Sequence, residues 1–352
     1  MIEPMQGNNR LLIITQVVDK NDPVLGFFHH WLEAFAKRFE SIQVICLKQG
    51  ECALPSNVTV HSLGKETGGN RFLYAMRFVK LAYGLHKEYD AVFIHMNPEY
   101  YALAGDFWAL MRKPVSLWYN HEVGSIWLRL AQPFLRTIFH TSPYAYPARY
   151  KNAKRMPAGI DTELFSPRNV EPKPNSVYFQ GRIAPAKRVH VLLEAVRLLR
   201  AQGIPATASL VGPEDVSYGK TLRADFKDLI IADAVVFLGP KRNEETPALY
   251  ASHAVSVNLT ADGNFDKTVL ESAATETPVL VASRGFSGVI PDVWVLEENT
   301  AEGLMNALKA LFALKDEMRS TFAKCARMAV IEKHSLMTLA EELALSCGAS
   351  AH

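Results

Sequence analysis

A chain of 352 residues exceeds what one hydrophobic core usually serves, so two domains are expected. Its 49% hydrophobic and 21% charged content is that of a globular protein and argues against disorder. A formal net charge of +2, from 38 basic and 36 acidic residues, is too balanced for a dedicated nucleic-acid binder.

Residues 11–18 form a short Ile- and Val-rich run that reads as a buried parallel strand. A polar loop with Asp22, Pro23 and Gly26 follows, then helical spacing over 27–39, with Phe28, Trp31, Leu32, Phe35 and Phe39 apolar. The same alternation recurs as strands at 43–47 and 58–63, a helix at 72–86, a strand at 91–95, a helix at 100–111 and a strand at 115–119. Units of this kind imply a parallel sheet with helices on both faces.

A boundary is expected at the proline-rich stretch 167–174, which is poor in apolar residues. Beyond it the alternation restarts, with strands at 176–179, 207–211, 235–238, 254–259 and 279–282. Helices are expected at 189–202, 247–250, 268–275, 301–314 and 336–345, and Gly203 ends the first of them. The fold class is therefore α/β, with two Rossmann-like doubly wound domains facing each other across a cleft. In such folds ligands sit at the carboxyl ends of strands. Charge leans weakly toward an anionic partner in the first half, with 18 basic against 14 acidic side chains up to residue 167 and 20 against 22 beyond it.

The four cysteines, Cys46, Cys52, Cys325 and Cys347, show neither C-x-x-C nor zinc spacing and fit a reducing cytoplasm. The polar N-terminus has no apolar signal core. No run reaches the roughly 18 apolar residues of a spanning helix, so any membrane contact is expected to be peripheral, on the inner face. Two stretches, 71–87 and 125–139, read as helices that are basic and apolar together. Arg71, Arg77, Lys80, Arg129 and Arg136 on them suit a lipid surface, and an ordinary amphipathic helix packed on a sheet is the plainer alternative.

Two constellations carry chemistry. In the first, Gly181 and Arg182 follow a strand and Lys187 opens a helix, so two cations and free helix amides meet at a point suited to a diphosphate. A pair of surface cations is the alternative. In the second, the loop from Asp262 to Asp266 precedes a helix with Glu271 one turn inside it, where a carboxylate suits the hydroxyls of a ribose. A solvated helix glutamate is the alternative there.

Together these segments resemble the family-four retaining glycosyltransferases of the GT-B fold, the group 1 glycosyl transferases. The series G-R-x(4)-K-x(4)-L-L-E-A runs from Gly181 to Ala195. It continues through Val211-Gly212, Phe237 to Gly239, Leu249-Tyr250 and Thr277 to Val279, with G-I-D-T-x-x-F-x-P at Gly159 to Pro167. The resemblance implies an N-terminal acceptor-side domain over 1–167, a linker at 168–174 and a nucleotide-sugar-binding domain over 175–352. The last helix is a candidate to pack back on the N-terminal domain.

By the same resemblance, Arg182 and Lys187 would hold the donor diphosphate, Glu271 the ribose, and the backbone amides of Lys267 and Thr268 the phosphate. Gly239, Pro240 and Lys241 would lie along the base. Gly181, Gly212, Asn264 and Phe265 complete the donor pocket, Gly26 would approach the donor from the first domain, and His121 would contact the sugar. A packed or exposed loop histidine is the alternative for His121. His95 divides evenly between cleft lining and structure, whereas His29 and His30 read as structural.

The family's first glutamate falls at Gly263 here, with Asp262 as a partial replacement. The implied reaction is retaining transfer of a sugar from a nucleoside-diphosphate co-substrate to a hydroxyl of a glycan or lipid-linked glycan. No cofactor is implied, and the sequence carries no D-x-D to hold a metal. An epimerase or a degenerate nucleotide-sugar-binding protein are the alternatives. An NAD enzyme is disfavoured, because no G-x-G-x-x-G follows the first strand.

Overall fold

A computed structural model describes residues 10–22, 24–263 and 265–347, so Pro23 and Asn264 lie outside the described residues. The chain divides into two compact units, 1–159 with 336–352, and 160–335.

The first unit begins with β1 (Arg10–Val18), α1 (Phe27–Ala36), β2 (Ser41–Gln49) and β3 (Val58–Ser62). It continues through α2 (Arg71–Gly84), β4 (Ala91–His95), α3 (Glu99–Leu110), β5 (Val115–Trp118), α4 (Ile126–Ala131), β6 (Thr137–His140) and β7 (Ala153–Arg155). Its seven strands form one sheet in the order β3-β2-β1-β4-β5-β6-β7, every pair parallel. The β1 residues alternate between two cores. Leu11 and Ile13 join Trp31 and Phe35 of α1, while Leu12 and Ile14 join Phe78 of α2 and Trp108 of α3. A strand buried on both faces has to be apolar throughout, which is why its period-two signal is absent.

The second unit carries β8 (Lys173–Gln180), α5 (Val189–Ala201), β9 (Thr207–Val211), α6 (Val216–Asp225), α7 (Lys227–Ile231) and β10 (Val235–Gly239). Then come α8 (Thr246–Ala251), β11 (His253–Asn258), α9 (Lys267–Ala274), β12 (Val279–Val281), α10 (Ala301–Phe312) and α11 (Asp316–His334). Its sheet, β10-β9-β8-β11-β12, is also wholly parallel. Both units are therefore Rossmann-like and doubly wound. The closing helix α12 (Leu336–Cys347) belongs to the first unit, where Leu339, Ala340 and Leu343 enter the core beside α1.

The units part at Gly159/Ile160, ahead of the proline-rich stretch, and β8 already begins at Lys173 inside that stretch. The helix read across 125–139 is broken. Pro133 has no backbone N–H and falls in a single 3-10 turn after α4, and Thr137 and Ile138 then enter β6 beside β5. The long helix α11 escapes the apolar pattern because its buried face is built largely of small residues, Ala323, Ala326 and Val330.

Candidate functional site

In the second sheet β9 and β10 lie to one side of β8, and β11 and β12 to the other. The chain reverses its winding between β8 and β11, and the loops leaving their carboxyl ends diverge there. A crevice at such a switch point is where doubly wound sheets bind ligands.

The loop after β8 is laced to its neighbour. The amide of Gly181 donates to Val211 O at 2.9 Å, and that of Gly212 to Gly239 O at 3.0 Å. The three glycines thus stand side by side at three strand ends. Gly212 has φ +140, and a Cβ there would lie 2.0 Å from Gly181 O, so no other residue fits. Arg182 follows with its side chain exposed. Lys187 does not open the helix. It ends a 3-10 turn, Pro185–Lys187, and left-handed Arg188 (φ +52) separates it from α5. Arg188 in turn donates to Asn299 O at 2.7 Å.

The turn carries Lys187 across the switch point. Its Nζ lies 2.6 Å from Asp266 Oδ2 and 3.2 Å from Thr260 Oγ1. The same carboxylate oxygen accepts from Asn258 Nδ2 at 2.9 Å and Thr260 Oγ1 at 2.7 Å. Burial pushes the Asp266 carboxyl up, but the Lys187 charge and these hydrogen bonds outweigh it, and its pKa lies below the ordinary carboxylate range. An ammonium has three donors, and Asp266 and Thr260 occupy two of them.

Asp266 precedes α9 as its N-cap, yet its side chain makes no capping bond. Lys267 and Thr268 open α9, and the dipole of a helix N-terminus favours an anion there. One turn on, Glu271 is buried, and Tyr250 Oη lies 3.3 Å from its Oε2 and 3.1 Å from Thr268 O. Burial raises the Glu271 carboxyl to about 7, against the opposing charge of Lys267. Burial likewise lowers the Lys267 ammonium well below its usual range and raises the Tyr250 phenol well above its own. Asn258 Nδ2 also reaches Thr268 Oγ1 at 3.4 Å, so Lys187, Asp266, Asn258, Thr268, Tyr250 and Glu271 form one linked polar chain.

Other expected residues fare differently. Asp262 Oδ1 accepts from Ser283 Oγ at 3.1 Å and from the Arg284 amide at 2.7 Å, which ties its loop to the segment after β12. Gly263 is buried with φ +116, a backbone that L side chains rarely adopt. Phe265 is buried against Phe286, with ring centroids 4.4 Å apart, and His334, at 5.4 Å. Its ring serves the packing of the loop. Gly239 has φ +69, Pro240 is exposed and Lys241 half-buried at the end of β10.

In the first unit Gly26 sits at the N-cap of α1, where a Cβ would meet Asp22 O at 2.6 Å. His121 is exposed after β5, 5.4 Å from the Tyr119 ring, and its carbonyl accepts from the Tyr146 amide. His95 is buried among Phe27, Phe28 and Trp31, with Nδ1 3.3 Å from Thr15 Oγ1, and is a packed core histidine. His29 is buried too. Its Nε2 accepts from the Ala53 amide, and burial lowers its pKa.

Sequence reasoning missed Thr260 and Asp266 as partners of Lys187, and Asn258 as a second donor to Asp266. Asp266 was in view, but an aspartate just before a helix reads as a cap, and its use as a lysine partner shows only in three dimensions.

Residues 174–313 match the family described as glycosyl transferases group 1. The D-inositol 3-phosphate glycosyltransferase of Mycobacterium sp. (strain KMS) is 29% identical over 142 residues, 36% of this chain and 31% of that protein. The chain spans about half or less of the length of the curated relatives it matches first. Among solved structures, Anabaena HepE in complex with UDP and glucose has a TM-score of 0.76 at 18% identity, over 97% of this chain and 99% of that one. Sucrose-phosphate synthase from Thermosynechococcus elongatus has a TM-score of 0.74 at 18% identity, over 96% and 98%. The chain shares the GT-B fold with both.

Proposed function

We propose, from the premise that residues 174–313 belong to the glycosyl transferases group 1 family, that this chain transfers a sugar from a nucleoside-diphosphate sugar to an acceptor hydroxyl with retention at the anomeric carbon. The observation that carries the reading is the Lys187–Asp266 pair at the switch point, beside the N-terminus of α9 and one turn from buried Glu271.

Arg182, Lys187 and the first amides of α9 bind the donor diphosphate and hold the charge that develops as it leaves. Preorganised charge of this kind is usually the largest contribution to such a step. Glu271 accepts from the ribose hydroxyls, and the end of β10, Gly239 to Lys241, borders the base. The departing phosphate takes the acceptor proton, so no pair of catalytic carboxylates is required. The cations neutralise the diphosphate, and no metal or cofactor is needed. UDP sugars are the first donors to test, because HepE is a structural neighbour in complex with UDP. A glycan or a lipid-linked glycan supplies the acceptor hydroxyl.

Calorimetric titration with UDP, GDP and ADP, paired with a donor-hydrolysis assay, tests the reading. Micromolar binding of one nucleotide with slow release of its sugar is the expected result. Interconversion of the sugar would make the chain an epimerase, and binding without turnover would make it a binding protein.

A further inference from the structure

Half of the large apolar side chains exposed among the described residues fall between Phe72 and Phe134, on α2, α3, α4 and their ends. This clustering separates them from the scattered apolar surface that every soluble protein carries.

On α2 exposed apolar side chains share the solvent side with Arg71 and Lys80. Phe72, Met76 and Tyr83 are exposed, and half-buried Val79 falls among them at helical spacing against the edge of the core, while Phe78 and Ala82 on the adjoining face fill that core. Phe72 is 74% exposed. An open depression of about 400 Å³ on this helix is lined by Ala75, Met76, Val79 and Lys80. The apolar surface continues onto α3 through Tyr83, which stacks on Phe107 with centroids 3.9 Å apart, and Leu103 and Leu110 stand exposed one turn to either side of Phe107. It reaches the end of α4 through Tyr101, stacked on Phe134 at 6.5 Å, with Ile126, Trp127 and Leu130 exposed nearby in sequence.

Charge selects the occupant. Neither α2 nor the segment from Ile126 to Arg136 contains an acidic residue. Arg71, Lys80, Arg129 and Arg136 are exposed along them, and Arg77 is occupied internally by Leu63 O. The exposed acids nearest these helices are Glu99 and Asp106 of α3 and Glu122 ahead of α4, fewer than the cations. Apolar side chains interleaved with cations, with Trp and Tyr among them, suit the headgroup boundary of an anionic bilayer, where long cationic side chains extend to the phosphates. A second copy of the chain fits less well. A two-fold contact would set the same cations against themselves.

We propose that the solvent face of α2, α3 and α4 is a docking surface for an anionic lipid bilayer. This goes beyond the transferase reading and needs none of its chemistry. The test is sedimentation of the purified chain with sucrose-loaded phosphatidylcholine vesicles, with and without phosphatidylglycerol. Binding is expected only with phosphatidylglycerol, and it weakens as salt is raised. Replacing three exposed cations, Arg71→Gln, Lys80→Gln and Arg129→Gln, is expected to lower partition on the order of 100-fold, from roughly fivefold per cation. Met76→Glu with Leu110→Glu and Leu130→Glu is expected to abolish it with an unchanged melting temperature, since all three are already in water. No binding to either vesicle, or binding that both variant sets leave intact, overturns the proposal. So does concentration-dependent self-association that the glutamates remove, which would make the face a contact between copies.

Discussion

The Lys187 ammonium lies 2.6 Å from Asp266 Oδ2, and that oxygen also accepts from Asn258 and Thr260. The cation is braced across the switch point of the second sheet before any ligand arrives. In the proposed reading its position therefore costs little to organise when a diphosphate binds.

This bracing separates two cations that sequence alone treats alike. Lys187→Ala and Arg182→Ala are each expected to lower turnover by roughly two to three orders of magnitude. The sequence leads one to expect little change in stability for either. The structure corrects this for Lys187, whose side chain is only 20% exposed. Its loss strands a mostly buried carboxylate and is expected to cost about 1–2 kcal/mol, below the cost of breaking a fully buried pair because some solvent screening remains. Arg182→Ala is expected to melt like the parent. Initial rates and thermal melts check both, and near-normal turnover in the two variants removes the diphosphate role.

The two buried carboxyls pull stability in opposite directions with pH. Asp266 has a lowered pKa, so its contribution is present above the ordinary carboxylate value and is lost as pH falls through the folded one. Glu271 is raised to about 7, so the folded state holds a proton that the unfolded state has released. Its contribution is full below the unfolded value near 4.3 and disappears as pH rises through about 7. Glu271→Gln is therefore expected to stabilise the chain at pH 8 relative to the parent by about 1–3 kcal/mol and to flatten the dependence between pH 5 and 8. Denaturant melts across that range decide it. A variant less stable than the parent at pH 8 would contradict the burial account.

The same carboxyl sets a ligand prediction. Ribose hydroxyls donate to an ionised carboxylate, so nucleotide affinity in the parent is expected to rise as pH climbs through about 7. Glu271→Gln is expected to weaken nucleotide binding at pH 8 by about 1.5–3 kcal/mol and to remove the pH dependence. Titration calorimetry at pH 6 and pH 8 reads both effects. Equal affinity in the parent and the variant at pH 8 rules out the ribose role.

Where a residue's task was local, the sequence showed it. The Ile-Val run of β1, the turn glycines Gly181 and Gly212, and Glu271 one turn inside a helix were legible because strand burial, backbone freedom and helical spacing leave local marks. Tasks set by distant partners were hidden. Asp266 looks like a helix cap and is a lysine partner across the sheet. His95 looks like a strand-end candidate and is packed by α1. The α12 helix follows the second unit in sequence and completes the core of the first, because Leu339 and Leu343 find the apolar face beside Trp31 only after folding. Pro133, which breaks the stretch 125–139, was visible, and the apolar pattern on either side of it outweighed it in a reading by periodicity.

Turnover is expected to persist in excess EDTA. The sequence has no D-x-D to hold a metal. In the proposed reading Arg182 and Lys187 supply fixed positive charge in its place. Initial rates with EDTA, and with added Mg²⁺ or Mn²⁺, check this. Complete loss on chelation, restored by either ion, would refute it.

The loop before α9 carries the last prediction. In the resembled family a glutamate at the position of Gly263 contacts the sugar, so a glutamate here is the obvious way to alter donor preference. The backbone argues against that route. Gly263 has φ +116, where an L side chain costs about 1 kcal/mol or more. Gly263→Ala is therefore expected to impair turnover and stability nearly as much as Gly263→Glu, because the added Cβ does the damage before any carboxylate matters. Asp262 is not free to replace the missing glutamate through Oδ1, which is held by Ser283 and the Arg284 amide. Asp262→Ala releases both contacts and is expected to loosen the loop, lowering turnover while free-nucleotide affinity changes less. Asp262→Asn keeps an acceptor oxygen for Ser283 and Arg284 and is expected to recover most of that turnover. Turnover, nucleotide titration and melts of the four variants separate backbone from side-chain effects. A Gly263→Ala variant with parental turnover, beside a Gly263→Glu variant that prefers a different sugar, would show that the position tolerates a side chain and reads the donor directly.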